Sequence, residues 1–161
     1  MKKCLTLILL ALFSTSLYAQ VTVEAIPANE QAAWLEDSNP QDAADKRLVY
    51  DFWRMVLVAR DMNAARRMMA EDYIQHNPNI PTGRAPFIEF FGRMEAQEPL
   101  DTIPDLVAIT ASGRHVTLAL RREIENPNMP GETYTTTWFD MFRVEDGRIA
   151  EHWDYGTIQA R

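Results

Sequence analysis

The sequence predicts an α+β domain: helices first, then a run of antiparallel strands, with the helices packed on one face of a curved sheet. Three observations carry this expectation. Apolar residues recur at three- and four-residue spacing from Gln41 to about Ala96, the period of helices buried on one side. From Ile103 the spacing becomes two, as in Val116, Leu118 and Leu120, the period of a half-buried strand. Turn residues, above all Asn126-Pro-Asn-Met-Pro-Gly131, separate the alternating runs.

The chain opens with Met1-Lys-Lys, an apolar run from Leu5 to Phe13, and Ser14-Thr-Ser-Leu-Tyr-Ala19. A charged start, an apolar stretch too short to span a bilayer and a small residue at a cleavage position predict a signal peptide over residues 1–19. Leu17 stands where a small residue is usual, and an uncleaved membrane anchor is the alternative. Cys4 precedes the apolar run, so it is not the lipid-bearing cysteine of a lipoprotein, which follows that run. The expected address is secreted, in the periplasm of a Gram-negative cell. Cleavage after Ala19 removes the sole cysteine, so no disulfide and no thiol nucleophile are expected in the mature chain. It also removes two lysines and no acid, taking the formal charge from −7 to −9. Such an acidic chain is expected to bind neither nucleic acid nor, after cleavage, an anionic membrane. The remaining residues, about 140, suit one domain.

Residues 20–40 carry Pro27 and Pro40 and read as an N-terminal arm. It has a short helical stretch near Glu30–Glu36 and is expected to pack through Trp34 and Leu35. The main domain spans 41–161. Its first helix starts at Gln41, with Val49, Phe52, Trp53, Val56 and Leu57 on the apolar side. Asp61-Met-Asn63 breaks it, and a second helix covers Ala64–Ala70, with Met68 and Met69 as core fillers. Pro78 forces Asn77 out of helical geometry, so His76 and Asn77 lie on an extended exit from that helix. Pro81-Thr-Gly-Arg84 is a turn before a third helix from about Ala85 to Ala96. The strands expected are Leu106–Ala111, His115–Ile124, Tyr134–Val144 and Arg148–Ile158.

The last two strands carry the most information, because ionisable residues occupy a face that is otherwise apolar. Glu145-Asp-Gly147 is the hairpin turn. A two-residue loop at Asp146-Gly147 would set Asp140 opposite Trp153. A three-residue loop sets Asp140 opposite His152 and Trp138 opposite Asp154. In that second register Asp140, His152 and Asp154 share a face with Phe142, Val144 and Ala150. Burying unpaired charge is costly, so two carboxylates and an imidazole there suggest a site. The opposite face carries Phe139, Met141, Trp153 and Tyr155, apolar enough to predict a homodimer contact.

Tyr73-Ile-Gln-His-Asn-Pro78, followed after four residues by Gly83-Arg84, together with Phe139-Asp-Met-Phe-Arg-Val-Glu-Asp-Gly-Arg-Ile-Ala-Glu-His-Trp-Asp154, resembles the SnoaL-like polyketide cyclases. These belong to the nuclear transport factor two-like superfamily, which also holds ketosteroid isomerase and scytalone dehydratase. The resemblance covers about residues 41–160. It implies a cone-shaped fold around one deep pocket, often dimeric, with acid–base chemistry and no cofactor. Asp154 resembles the acid/base aspartate of the cyclases. Asp140 stands where the cyclases have a histidine and the isomerases a protonated aspartic acid. Asn77 stands at the position of the isomerase base, which an amide cannot replace, and Trp53 lies near that of the isomerase oxyanion tyrosine. These departures argue against isomerase chemistry by that route.

Each candidate has a plainer reading. Asp154 and Asp140 could instead be an edge carboxylate and a partner of Arg122 or Arg143. If both line one dry pocket, at least one should have a raised pKa. His76 and Asn77 are expected at the rim or wall of the cavity as substrate-binding residues, with His152 inside it; the plainer readings are a buried histidine bonded to backbone for His152 and a loop cap for His76. Tyr73 either donates a hydrogen bond or packs; Trp53 and Trp138 form core or pocket wall. His76, His152 and Asp154 are permitted zinc or iron ligands, but no supporting spacing is present, so no metal is expected. Nor is there a Gly-x-Ser-x-Gly elbow. Two functions follow: an enzyme moving protons next to a carbonyl of a small hydrophobic molecule, by cyclisation, isomerisation, dehydration or hydrolysis, or a periplasmic binding domain using the same pocket.

Overall fold

A computed structural model describes residues 21–158; the expected signal peptide lies outside them. A single turn at Ala28–Glu30 leads into α1 (Gln31–Trp34) and α2 (Pro40–Phe52). Asn39 caps α2 by accepting from the Gln41 N–H, with Pro40 at the first helical position. The helix then widens into a π turn over Trp53–Val58, where the Ala59 N–H reaches back five residues to Arg54 O at 3.1 Å. Asp61 caps α3 (Met62–Met68) through the N–H groups of Asn63 and Ala64. Strand β1 (Met69–Gln75), helix α4 (Arg84–Phe91) and strands β2 (Leu106–Ser112), β3 (His115–Glu125), β4 (Thr133–Glu145) and β5 (Arg148–Asp154) complete the order.

The sheet runs β1-β5-β4-β3-β2. Strands β2 to β5 form the expected antiparallel meander. The fifth strand departs from the expected sheet: β1 joins the edge parallel to β5, making the sheet mixed. Its sequence hid it because Met68 and Met69 continue the helical spacing, yet Met69 already turns extended (φ −100°, ψ 144°). The third expected helix is also shorter, ending at Gly92, where a Cβ would come within 2.7 Å of Ile88 O.

Helices α2, α3 and α4 cover one face of the sheet. Between them lies a core of Val49, Phe52, Val56, Met69, Tyr73, Phe87, Leu118, Phe142 and Ile149, among others. The arm is tied to this core. Ile26 is buried in it, and its N–H donates to Leu106 O at 2.6 Å. Buried Gln31 donates to Ile26 O and Ile103 O and accepts from Tyr50 Oη and the Ile103 N–H. Trp34, expected to pack, is 41% exposed, while Leu35 packs on the core. The helix wheel placed both on one short turn, and only one side of that turn faces inward. Among the described residues no helix is long and apolar enough to cross a membrane.

Candidate functional site

The β4–β5 hairpin turns through two residues, Asp146 (φ 47°) and Gly147 (φ 68°), with Glu145 opposite Arg148. The expected three-residue loop is therefore absent. A two-residue loop alone would put Asp140 opposite Trp153, but β5 carries a bulge. Val144 pairs with Ile149 and Arg143 with Glu151, so Ala150 is the extra residue. Ile149 and Ala150 are consequently both buried. Beyond the bulge the register is Phe142 with His152 and Asp140 with Asp154. The shared face of Asp140, His152 and Asp154 thus arises from a tight turn plus a bulge.

Asp140 and Asp154 stand directly across a strand pair, an arrangement that is destabilising by itself. One donor atom from each of Asp140, His152 and Asp154 lies within 4.8 Å of the others. A cavity of about 280 Å³ opens above them. Trp53, Leu57, Val58, Ile80, Phe91, Arg122 and Trp138 form the rest of its wall. The π turn lets the successive residues Leu57 and Val58 both reach this cavity. A larger open depression of about 770 Å³, between α3 and α4, holds none of the expected site residues.

The three ionisable groups are held differently. Asp140 accepts from Trp138 Nε1 at 3.0 Å and from Trp53 Nε1 at 3.2 Å, with His152 Nε2 at 3.5 Å. Burial pushes its carboxyl up, but the imidazole and the two indole N–H groups outweigh burial and hold it below the ordinary carboxylate range. Asp140 thus departs in the opposite direction from the raised carboxyl that the sequence suggested. His152 is 3% exposed and stacked on Phe142 at 4.1 Å. Its Nδ1 lies 3.2 Å from Gln75 Nε2. The Gln75 amide is oriented by its other bonds: Oε1 accepts from the Asn77 N–H and Nε2 donates to Tyr73 Oη. Gln75 therefore offers N–H to Nδ1, and the hydrogen-bond network assigns the ring N–H to Nε2, facing the cavity. Asp154 Oδ2 accepts from Asn77 Nδ2 at 3.0 Å. Among the described residues, Asp154 Oδ1 and His152 Nε2 are buried with no hydrogen-bond partner.

The remaining expected residues divide. Trp53 and Trp138 are cavity wall and hydrogen-bond donors. Asn77 orients Asp154 from behind, and Gly156 makes room for it: a Cβ there would meet the Asn77 carboxamide at 2.6 Å. Tyr73 does not line the cavity. It is 1% exposed, packed edge-on against Phe87, and burial, then the Asp154 charge, push its hydroxyl well above the ordinary phenol range. His76 is a correction. It lies on the opposite sheet face, stacked on Trp153 at 4.9 Å and bonded to Glu151 at 2.8 Å. Read as loop, its direction was free; as the residue after β1 it alternates away from Gln75. Tyr155 also departs from the expected outer patch, packing edge-on against Trp138. Gln75, the hub of the network, was missed. Its only signal is the alternation Tyr73-x-Gln75-x-Asn77, visible once the segment is read as a strand.

Asp140, His152 and Asp154 are residue types a divalent cation accepts. Two features oppose it: Asp140 is already engaged by two indoles, and His152 presents an N–H rather than a lone pair.

A family model for the SnoaL-like domain matches residues 49–152. Among solved structures, the chain is similar to an LEH-like epoxide hydrolase of M. tuberculosis, at 19% identity and a TM-score of 0.52 over 72% of this chain and 84% of that one. It is similar to a protein described as a SnoaL-like polyketide cyclase from Jannaschia sp., at 17% identity and TM-score 0.52 over 74% and 90%. A protein described as a polyketide cyclase from Acidithiobacillus ferrooxidans gives 18% and 0.51 over 74% and 89%. At these identities the likeness shows the fold. No curated protein matches the sequence.

Proposed function

Because the chain belongs to the SnoaL-like domain family, we propose that it is an enzyme of cofactor-free acid–base chemistry on a small hydrophobic carbonyl compound. One observation carries the reading. Among the described residues Asp154 Oδ1 and His152 Nε2 are buried at one cavity with no hydrogen-bond partner, and ligand atoms of the two side chains lie within 4.8 Å of each other. A base and an oxyanion donor in that relation suit removal of a proton next to a carbonyl. Asp154 takes the proton through Oδ1 while Asn77 holds Oδ2. His152 donates to the oxygen that gains charge, with its tautomer set by Gln75. Asp140, held by two indole N–H groups, lies 3.5 Å from the same Nε2 and places a negative charge beside the imidazole. Leu57, Val58, Ile80 and Phe91 receive the apolar body of the substrate, and a volume of about 280 Å³ restricts it to a small molecule. The proposal includes export, on the lysine-flanked apolar run at the N-terminus, and a homodimer formed through the outer sheet face.

The test is hydrogen–deuterium exchange at the carbon next to the carbonyl, followed by NMR across a panel of hydrophobic ketones. The wild-type chain should accelerate exchange of at least one member. Asp154→Asn keeps the size, removes the basicity and should lower the rate about a hundredfold or more. An unchanged rate in a folded variant leaves only the binding-domain reading.

A further inference from the structure

We propose that the substrate is an anion: Arg122 receives its carboxylate at the mouth of the cavity while the apolar body lies inside. This inference rests on the cavity being the functional site proposed above.

Arg122 lies on the inner face of β3, opposite Thr136, and lines the same cavity as Asp140 and Asp154. Its neighbour Arg121, on the other face, is held by Asp105 at 3.1 Å. Arg143 and Arg114 likewise have carboxylate partners. Arg122 has no hydrogen-bond or ion-pair partner among the described residues, although two carboxylates share its cavity. One of them, Asp140, is already satisfied by indole N–H groups. The Arg122 guanidinium lies over the Trp138 ring, 5.2 Å from its centroid. Stacking on an indole restricts the guanidinium and leaves its N–H groups to be claimed, the geometry that grips a carboxylate through two bonds.

The position also sets a length. Thr136 is four residues along β4 from Asp140, about 13 Å at the usual rise per residue, and the arginine leans over Trp138, midway between. A carboxylate held there sits roughly 7 Å along the strand from Asp140. The reacting carbon and the acid group are therefore separated by a short spacer. In an acidic chain this arginine also supplies the local positive charge an anionic ligand needs to enter.

The experiment is calorimetric titration of the mature chain with ω-benzoylalkanoates of two to five methylenes, each compared with its methyl ester. At least one acid should bind tenfold or more tighter than its ester. Arg122→Gln should abolish that preference without weakening the ester, and Arg122→Lys should retain part of it; circular dichroism confirms that each variant is folded. Esters binding as tightly as acids, a preference that survives Arg122→Gln, or no acid binding at millimolar concentration each overturns the proposal. Repeating the titration with Asp154→Asn separates the two readings. An acid preference that persists there while exchange is unaffected by the substitution removes the catalysis and leaves the anion site.

Discussion

At the cavity floor one carboxylate is saturated with donors and its neighbour across the strand pair is not. That difference assigns their work, and it has a pH signature. The folded pKa of Asp140 lies below its unfolded value, ordinarily about 3.9. Its stabilising contribution is then complete above that value and is lost as pH falls toward and through the folded pKa. Asp140→Asn sets an amide N–H against two indole donors and should cost about 1–3 kcal/mol at neutral pH. Urea unfolding at pH 7, 5 and 3 should show the gap to wild type narrowing only below about pH 4; a constant gap down to pH 3 rules the assignment out. At this scale the sequence was partly legible. Two-residue alternation, a local property of the chain, put His152 and Asp154 on one face of β5; Asp140 joined them in the sequence reading through a three-residue loop that is absent, and in the structure through the Ala150 bulge. Gln75 and Arg122 were not legible as site residues, since their roles depend on which way an edge strand and a long side chain turn.

Among the elements, the arm is tied to the domain by one buried amide as well as by Ile26. Gln31 is 2% exposed and uses both ends of its side chain on groups of the arm, α2 and the segment before β2. Gln31→Leu keeps an apolar volume there but strands two carbonyls, an N–H and a tyrosine hydroxyl. The expected loss is about 2–4 kcal/mol in urea-induced unfolding. A loss within 0.5 kcal/mol, roughly the scale of an ordinary surface change, would mean that water satisfies those groups. Strands β2, β3 and β4 were readable to within a residue of their ends, because each alternates against a single core face; β5, expected to reach Ile158, stops at Asp154. Strand β1 was not, since its only partner is parallel and eighty residues away in sequence by register, Met69 with Ile149. The π turn and the β5 bulge were equally hidden: each adds one residue to a regular element, and neither leaves a mark in spacing.

For the whole molecule, the outer sheet face is an exposed apolar surface. Phe139 is 57% exposed there, beside Met141 and a Trp153 set between His76 and His115. Glu151 and Arg143 border this patch with a 2.8 Å ion pair. Such a surface, apolar with a charged border, fits contact with a second copy. Light scattering at micromolar concentration should give a dimer mass for the chain from Gln20 onward and a monomer mass for Phe139→Lys. A wild-type monomer would remove the homodimer from the proposal. The Ala150 bulge has a further consequence, in how the chain can change length. Strand β5 carries one residue more than its partner requires, ahead of His152. Loss of any one residue from Ile149 to Glu151 can be absorbed by closing the bulge, and His152 and Asp154 keep their side of the sheet. Loss of Trp153 cannot be absorbed, because the single residue between them is what keeps both on one side. Tolerance to deletion in this strand therefore ends at His152.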